Sequence, residues 1–334
     1  MIEKVRWGIL STAKIALTKV IPAMQRSASC EITAIASRDL YKAKDTASKL
    51  QIPNAYGSYE ELLADKSVEV VYNPLPNHLH VPWTVRAAEA GKHVLCEKPI
   101  ALSASEAKTL IAVRNRTGVR IQEAFMVRTH PQWVETRTLI RNGRIGSLKA
   151  ITGFFSYNNP DPLNIRNKLE LGGGALMDIG CYPISISRFF YETEPRRVVG
   201  LIERDKEFGI DSLTTVVLHF PNGHSTFTCS TRLAPYQRMI FFGTEGRIEV
   251  LIPFNAPNDQ GTRILVDDGK DLSGASAETI EFPVCDQYRI QASLFSQAIR
   301  ENREQEIPLE DSIRNMAVID AVFRSATTGD WEEI

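Results

Sequence analysis

Two short stretches carry side chains suited to acid–base chemistry at an alcohol carbon. The first is "HVLCEKPIALS", His93 to Ser103, where a strand pattern ends on Glu97-Lys98-Pro99. A lysine there stands at the carboxyl end of a sheet strand, where ligands bind in open α/β folds. The second is "LELGGGALMDIGCYPISI", Leu169 to Ile186. Three successive glycines followed by a helical pattern bring backbone close to a ligand. Asp178 and Tyr182, four residues apart, share one helix face. A phenol with an unperturbed pKa of about 10 is a poor base at neutral pH, but a nearby ammonium favours the phenolate and lowers that value. Each stretch alone also has a plainer meaning: a surface lysine before a helix, and a glycine turn followed by a helix-end carboxylate and a half-buried tyrosine.

A third stretch concerns phosphate rather than protons. "VRWGILSTAKIA", Val5 to Ala16, reads as strand, small-residue turn and apolar helix, the opening of a dinucleotide-binding βαβ unit. Ser11, Ala13 and Ala16 stand where the G-x-G-x-x-G fingerprint has glycines. Serine and alanine are the next smallest side chains. Ser11 and Thr12 add hydroxyl donors, and the helix start adds N–H groups and a positive dipole end. The second strand ends at Ser37, followed by Arg38 and Asp39. A guanidinium pairs with phosphate through two charge-assisted bonds and stacks on adenine, which predicts NADP as the preferred cofactor. In the competing reading Arg38 is solvated, Asp39 caps the next helix, and NAD is accepted.

The elements that must position these groups follow from composition and periodicity. The chain has 334 residues, 43% hydrophobic and 24% charged, with a formal net charge of −1. That profile suits a soluble protein of two domains. It gives no field to recruit nucleic acid or an anionic membrane. No membrane span and no secretory signal are expected. Five scattered cysteines without C-x-x-C fit a reducing cytoplasm, and six histidines without paired ligand spacing predict no metal site. Up to residue 122 strand and helix patterns alternate: "KVRWGIL", "CEITAIAS", "VEVVYNPL", "HVLCEK" and "RIQEAF" as strands, with helices between them, the first kinked at Pro22. This predicts a doubly wound parallel sheet over 1–122. From 123 to 334 the strand-like runs become consecutive, "PNGH" (Pro221 to His224) reads as a hairpin turn, and two helices close the chain. An α+β domain on a large, open, mostly antiparallel sheet is expected, with the last helix returning to the first domain. Phe154, Phe227 and Phe241 look exposed on it.

Taken together, the strand–turn–helix, "NPLPNHLH" (Asn73 to His80), "CEKP" (Cys96 to Pro99) and "GGGALMDIGCY" (Gly172 to Tyr182) resemble the Gfo/Idh/MocA family of NAD(P)-dependent oxidoreductases. The resemblance spans essentially the whole chain. It implies a Rossmann domain followed by an open-sheet domain whose exposed face mediates oligomer contacts, here a homodimer or tetramer. It implies Lys98 as the active-site lysine with Asp178 nearby. Many members have histidine where this chain has Tyr182. That tyrosine, with "EAFMVRTHPQ" (Glu123 to Gln132) and "NIRN" (Asn164 to Asn167), is similar to the branch of D-xylose and dimeric dihydrodiol dehydrogenases. The cofactor set implied is Ser11, Thr12, Ala13, Lys14, Ile15, Ser37, Arg38, Leu75, Pro76, Asn77, His80, Glu97, Lys98 and Arg166.

Oxidising a secondary or anomeric alcohol needs a hydride acceptor and a base for the hydroxyl proton. Tyr182 is read as that acid/base, Lys98 as its electrostatic partner and donor to the substrate oxygen, and Asp178 as orienting Lys98 or a sugar hydroxyl. The reverse assignment, with Lys98 carrying the proton, stays open. Glu97 is placed on the ribose or nicotinamide side. His78 and His80 lack a third metal ligand and are read as cofactor lining or a helix cap. Arg128, His130 and Arg166 are candidates for substrate or phosphate, Tyr157 and Tyr236 for the edge of a sugar pocket, and Arg137, Arg141 and Arg144 for a solvated helix face. The function expected is a sugar or polyol dehydrogenase. The alternatives are a dihydrodiol dehydrogenase, an anhydrosugar or ketose reductase, or a non-catalytic NAD(P)-sensing regulator.

Overall fold

The computed structural model describes residues 3–334. Contacts divide the chain into two compact units, one running to Met126 and including Tyr288–Ile313, the other made of Val127–Gln287 and Arg314–Ile334. The sequence reading drew one boundary at 122 and returned only the last helix. In the structure the first unit takes the penultimate helix, Gln287–Arg300, and the opening of the last, Leu309–Thr328. Trp7 shows why. Its indole is fully buried, donates from Nε1 to Ser296 Oγ at 3.1 Å and packs 6.0 Å from the Phe295 ring. A buried indole needs both a partner for its N–H and apolar cover, and the penultimate helix supplies both.

The first unit is a parallel sheet of β1 (Val5–Leu10), β2 (Cys30–Ala36), β3 (Asn54–Tyr56), β4 (Val70–Asn73), β5 (His93–Cys96) and β6 (Ile121–Glu123). Their order is β3-β2-β1-β4-β5-β6, the doubly wound order whose crevice opens between β1 and β4. The sequence reading missed β3, whose three residues have no apolar run. Between the strands lie α1 (Ile21–Gln25), α2 (Leu40–Leu50), α3 (Tyr59–Ala64), α4 (His80–Glu89) and α5 (Ala104–Thr117). Local chemistry sets their ends. Asp39, Ser58 and Ser103 accept backbone N–H bonds as N-caps, and Gly118 adopts φ 71° after α5. Pro22 has no N–H to give the preceding turn. The chain accommodates it with a π-turn, Ala16–Val20, in which Ile21 N–H reaches Ala16 O.

The second unit carries nine strands: β7 (Leu148–Asn158), β8 (Arg197–Arg204), β9 (Asp211–Phe220), β10 (Gly223–Ser230), β11 (Arg232–Gly243), β12 (Arg247–Val250), β13 (Thr262–Asp267), β14 (Glu278–Phe282) and β15 (Glu332–Glu333). They run β14-β13-β12-β11-β7-β10-β9-β8-β15. Only the β7–β10 pair is parallel. The helices α6 (Pro131–Arg141) and α7 (Cys181–Tyr191) cover one face. Trp133 and Phe190 pack 5.9 Å and 4.3 Å from Phe241, and the missing Cβ of Gly153 leaves room for Met239, whose Sδ it would meet at 2.6 Å. Phe227 and Phe241 therefore belong to the core, at 2% and 0% exposure, against the expectation. The open face instead shows Phe154, Leu201, Tyr236 and Phe242. No described helix is long and apolar enough to cross a membrane.

Candidate active site

At the carboxyl edge of the first sheet, the chain leaves β1 through Ser11, whose φ is 73°. This is the left-handed conformation a fingerprint glycine serves. For a residue with a Cβ it costs roughly 1 kcal/mol or more, partly offset where Ser11 Oγ accepts Ala13 N–H at 3.2 Å. Thr12 and Ala13 are half-buried, Lys14 is exposed, and Ile15 packs on the sheet core. A helix leaves its first N–H groups without partners inside the helix; Ser11 Oγ takes that of Ala13, and a helix start of this kind suits an anion. After β2, Ser37 is buried and its Oγ accepts Asp39 N–H. The Asp39 carboxylate caps α2, accepting from Tyr41 N at 2.9 Å and Lys42 N at 3.2 Å. Arg38 is exposed, its guanidinium beside the Tyr59 hydroxyl. A left-handed turn that opens a helix, and an exposed cation whose neighbouring carboxylate is occupied, together fit a dinucleotide.

Further along the same edge a buried polar lattice holds the Lys98 loop. Asn73 donates to His80 O at 3.0 Å and to Thr84 Oγ1 at 3.3 Å, and accepts from Leu75 N. His80 is 1% exposed, with Nδ1 2.6 Å from Pro99 O and Nε2 2.7 Å from Leu75 O. Burial pushes its pKa down to about 4, so the ring is neutral at pH 7. Both ring nitrogens face the chain's own carbonyls, and a neutral ring, with one N–H, donates to one of them, so the side chain expected to line a cofactor is instead packed between Leu75 and Pro99. Leu75 is buried, while Pro76, Asn77 and Lys98 are half-buried. Glu97 Oε1 accepts the Tyr72 hydroxyl at 2.6 Å and Oε2 accepts Lys98 N–H at 3.3 Å. Burial and the Glu97 charge push the Tyr72 phenol well up, which keeps it a donor. From β6, Glu123 Oε1 accepts Ile100 N–H at 2.8 Å.

In the second unit Tyr182 is buried at the start of α7, its ring 6.0 Å from Phe155 and 5.4 Å from Phe254. One turn earlier, Asp178 lies in the π-turn Leu176–Gly180, ahead of Pro183. Its Oδ2 accepts the Tyr157 hydroxyl at 2.5 Å and pairs with Arg166 Nε at 2.9 Å. Burial and the Asp178 charge push the Tyr157 phenol far up, and the same carboxylate raises Arg166. Both partners thus keep their protons and the carboxylate stays an acceptor. Arg166, expected at the cofactor, is the counter-ion of Asp178. Tyr157 was foreseen only as a pocket border, and nothing in its spacing marks it as the carboxylate's partner.

The three glycines serve the protein's own backbone. A Cβ on Gly173 would meet Arg166 O at 2.4 Å, and one on Gly174 would meet Asp211 Oδ1 at 1.9 Å. Gly174 N–H bonds Arg166 O at 2.9 Å, so the glycines fold the loop carrying Arg166 onto the turn carrying Asp178. Asp211, unremarked in the sequence, accepts Leu176 N–H at 2.6 Å, and burial pushes its pKa up to about 6. Arg128 and Arg137 sit over the Phe189 ring, and Arg137 and Arg141 pair with Glu192. Arg144 pairs with Glu278, and Tyr236 lies on the open face beside Phe154. His130 caps α6 through Nδ1.

Comparison with known proteins finds relatives across both units. Residues 5–125 match an oxidoreductase family with an NAD-binding Rossmann fold, and residues 133–249 match the GFO/IDH/MocA C-terminal domain. An uncharacterised oxidoreductase of Rhizobium meliloti is 49% identical over 99% of this chain and 100% of its own. A D-xylose 1-dehydrogenase (NADP+) of Haloferax volcanii is 38% identical over 98% of this chain and 99% of its own. A 3-ketoreductase from Actinomadura kijaniata, solved with NADP and TDP-benzene, superposes with a TM-score of 0.90 at 29% identity, covering 97% of this chain and 98% of that one.

Proposed function

The chain belongs to the Gfo/Idh/MocA family of oxidoreductases, and from that premise we propose an NADP-preferring dehydrogenase of a sugar or polyol, of the aldose 1-dehydrogenase type. The observation that carries the reading is the environment of Tyr182: an apolar aromatic box, one helical turn from a carboxylate held by two permanent donors. When bound, a nicotinamide nucleotide supplies the two-electron hydride acceptor or donor. The turn Ser11, Thr12, Ala13, Lys14 and Ile15 would hold its phosphates. Ser37 and Arg38 would hold the adenosine ribose and its 2′-phosphate, and Leu75, Pro76, Asn77 and Glu97 would line the nicotinamide side. Tyr182 moves the substrate hydroxyl proton, while the Lys98 ammonium stabilises charge on the substrate oxygen. Asp178, fixed by Tyr157 and Arg166, orients a sugar hydroxyl. NADP preference is supported by the exposed guanidinium of Arg38 and the occupied carboxylate of Asp39.

The similarity to a 3-ketoreductase favours one further reading, reduction of a ketosugar, and an aromatic dihydrodiol is the remaining candidate substrate. The open face of the nine-stranded sheet, with Phe154, Leu201, Tyr236 and Phe242 toward solvent, supports a homodimer or a tetramer of dimers. Five free cysteines suit a cytoplasmic location. The test is turnover of NADP and NAD across aldoses, polyols, ketosugars and dihydrodiols. Strong oxidation of one pentose or hexose with NADP is expected. Absence of turnover in either direction with every member would defeat the reading.

A further inference from the structure

The backbone on the carboxyl side of Lys98 is gripped from two flanks by buried side chains that the chemistry itself does not need. On one flank His80 Nδ1 lies 2.6 Å from Pro99 O, while its Nε2 lies 2.7 Å from Leu75 O. On the other, Glu123 Oε1 accepts Ile100 N–H at 2.8 Å. His80 and Glu123 are each 1% exposed and come from the ends of different segments, the first turn of α4 and the end of β6. Asn73 fixes His80 in turn by donating to its backbone carbonyl. Lysine is a flexible four-carbon stem with a point charge at its tip. Its stem can be aimed only by fixing the peptide units at its root, and these bonds lie one and two residues beyond it.

We infer that His80 is a positioning residue for Lys98, its Nδ1–H holding the Pro99 carbonyl while Glu123 holds the Ile100 amide from the opposite side. This rests on the proposed role of Lys98 in the reaction. A lysine displaced by about 1 Å loses much of its effect on a reacting oxygen, because misplacement on that scale costs up to about a hundredfold in rate. His80 then changes kcat through Lys98 without touching substrate.

The ring has two nitrogens, and two amides mimic them separately. His80→Asn places an amide nitrogen near the Nδ1 position and keeps a donor for Pro99 O. His80→Gln reaches the Nε2 position beside Leu75 O and leaves Pro99 O without its donor. The inference expects kcat within about threefold of wild type for His80→Asn and lower by about tenfold or more for His80→Gln, with KM for NADP and sugar little changed in both. The loss must also vanish on Lys98→Met: combined with it, His80→Gln should cost less than about twofold further, since a group acting through an absent partner has nothing left to act on. Glu123→Met, which removes the acceptor of Ile100 N–H, enters the same cycle should His80→Gln fail to fold. Equal kcat for the two His80 variants, or full additivity with Lys98→Met, overturns the inference while the proposed function stands. A fully active Lys98→Met removes the role of Lys98 and the inference together.

Discussion

The hydroxyl of Tyr157 donates to Asp178 Oδ2 at 2.5 Å, on the same oxygen that Arg166 Nε approaches at 2.9 Å. One carboxylate oxygen is thereby fully engaged from β7 and from the loop before the glycines. A hydrogen bond to a charged acceptor contributes about 1.5–3 kcal/mol. Tyr157→Phe should lower unfolding free energy by that order and reduce kcat for the sugar, since Asp178 regains rotational freedom. Denaturant unfolding and steady-state kinetics check it; a variant unchanged in both would show that the contact is incidental.

Lys98→Met and Tyr182→Phe should each cut turnover by at least about a hundredfold, the range for losing acid–base or oxyanion support. Dissociation constants for NADP, read by protein fluorescence, should shift much less. If both act on one substrate oxygen, the double variant should be little slower than the worse single one. Near-normal turnover in Tyr182→Phe would move the proton to another group.

Arg38→Ala should raise the Michaelis constant for NADP sharply and leave that for NAD nearly unchanged, because only the former has a 2′-phosphate to pair with the guanidinium. Asp39→Ala removes the cap of α2, at a cost of about 1 kcal/mol in stability, and should leave the NADP preference in place. Equal losses for both cofactors in Arg38→Ala would assign the residue to the shared adenosine, and a wild-type preference for NAD would refute the cofactor assignment.

Asp211 gives the molecule a pH signature. Burial raises its folded pKa to about 6 from the ordinary 3.8 of an aspartate. Between those values the folded state holds a proton that the unfolded state has released. Stability from this group therefore falls as pH rises through the window, and above about pH 6 its penalty is complete, of the order of 2–3 kcal/mol. Asp211→Asn keeps an acceptor for Leu176 N–H and removes the titration. Its stability relative to wild type should rise between about pH 4 and pH 7 by that order, measured by urea midpoints. A constant difference across the range would contradict the assignment.

The open sheet face should be covered by a second copy of the chain. Light scattering at micromolar concentration is expected to give a dimer or tetramer, and Leu201→Glu or Phe242→Glu, both on outward positions, should shift it toward monomer. A monomeric wild type would count against the assembly.

Local rules made much of this protein legible from its amino acids. Asp39 announces its helix because a short polar side chain satisfies N–H groups two or three residues on. The alternation of strands and helices up to residue 122 implied the doubly wound sheet because parallel neighbours require a crossover. The lysine at the end of β5 and the Asp178–Tyr182 spacing stood out because their chemistry is carried by residue type. Tertiary structure decided what depends on partners distant in the chain. Phe241 rather than Phe242 entered the core because adjacent residues on a strand face opposite ways, and the position of α6 and α7, which the residue type does not report, chose between them. Tyr157, Arg166 and Asp211 converge on the Asp178 turn from separate segments. The glycines were marked by the sequence as a close approach, but what approaches them, the carbonyl of Arg166 and the carboxylate of Asp211, is fixed only when the loop and sheet pack and leave no room for a Cβ.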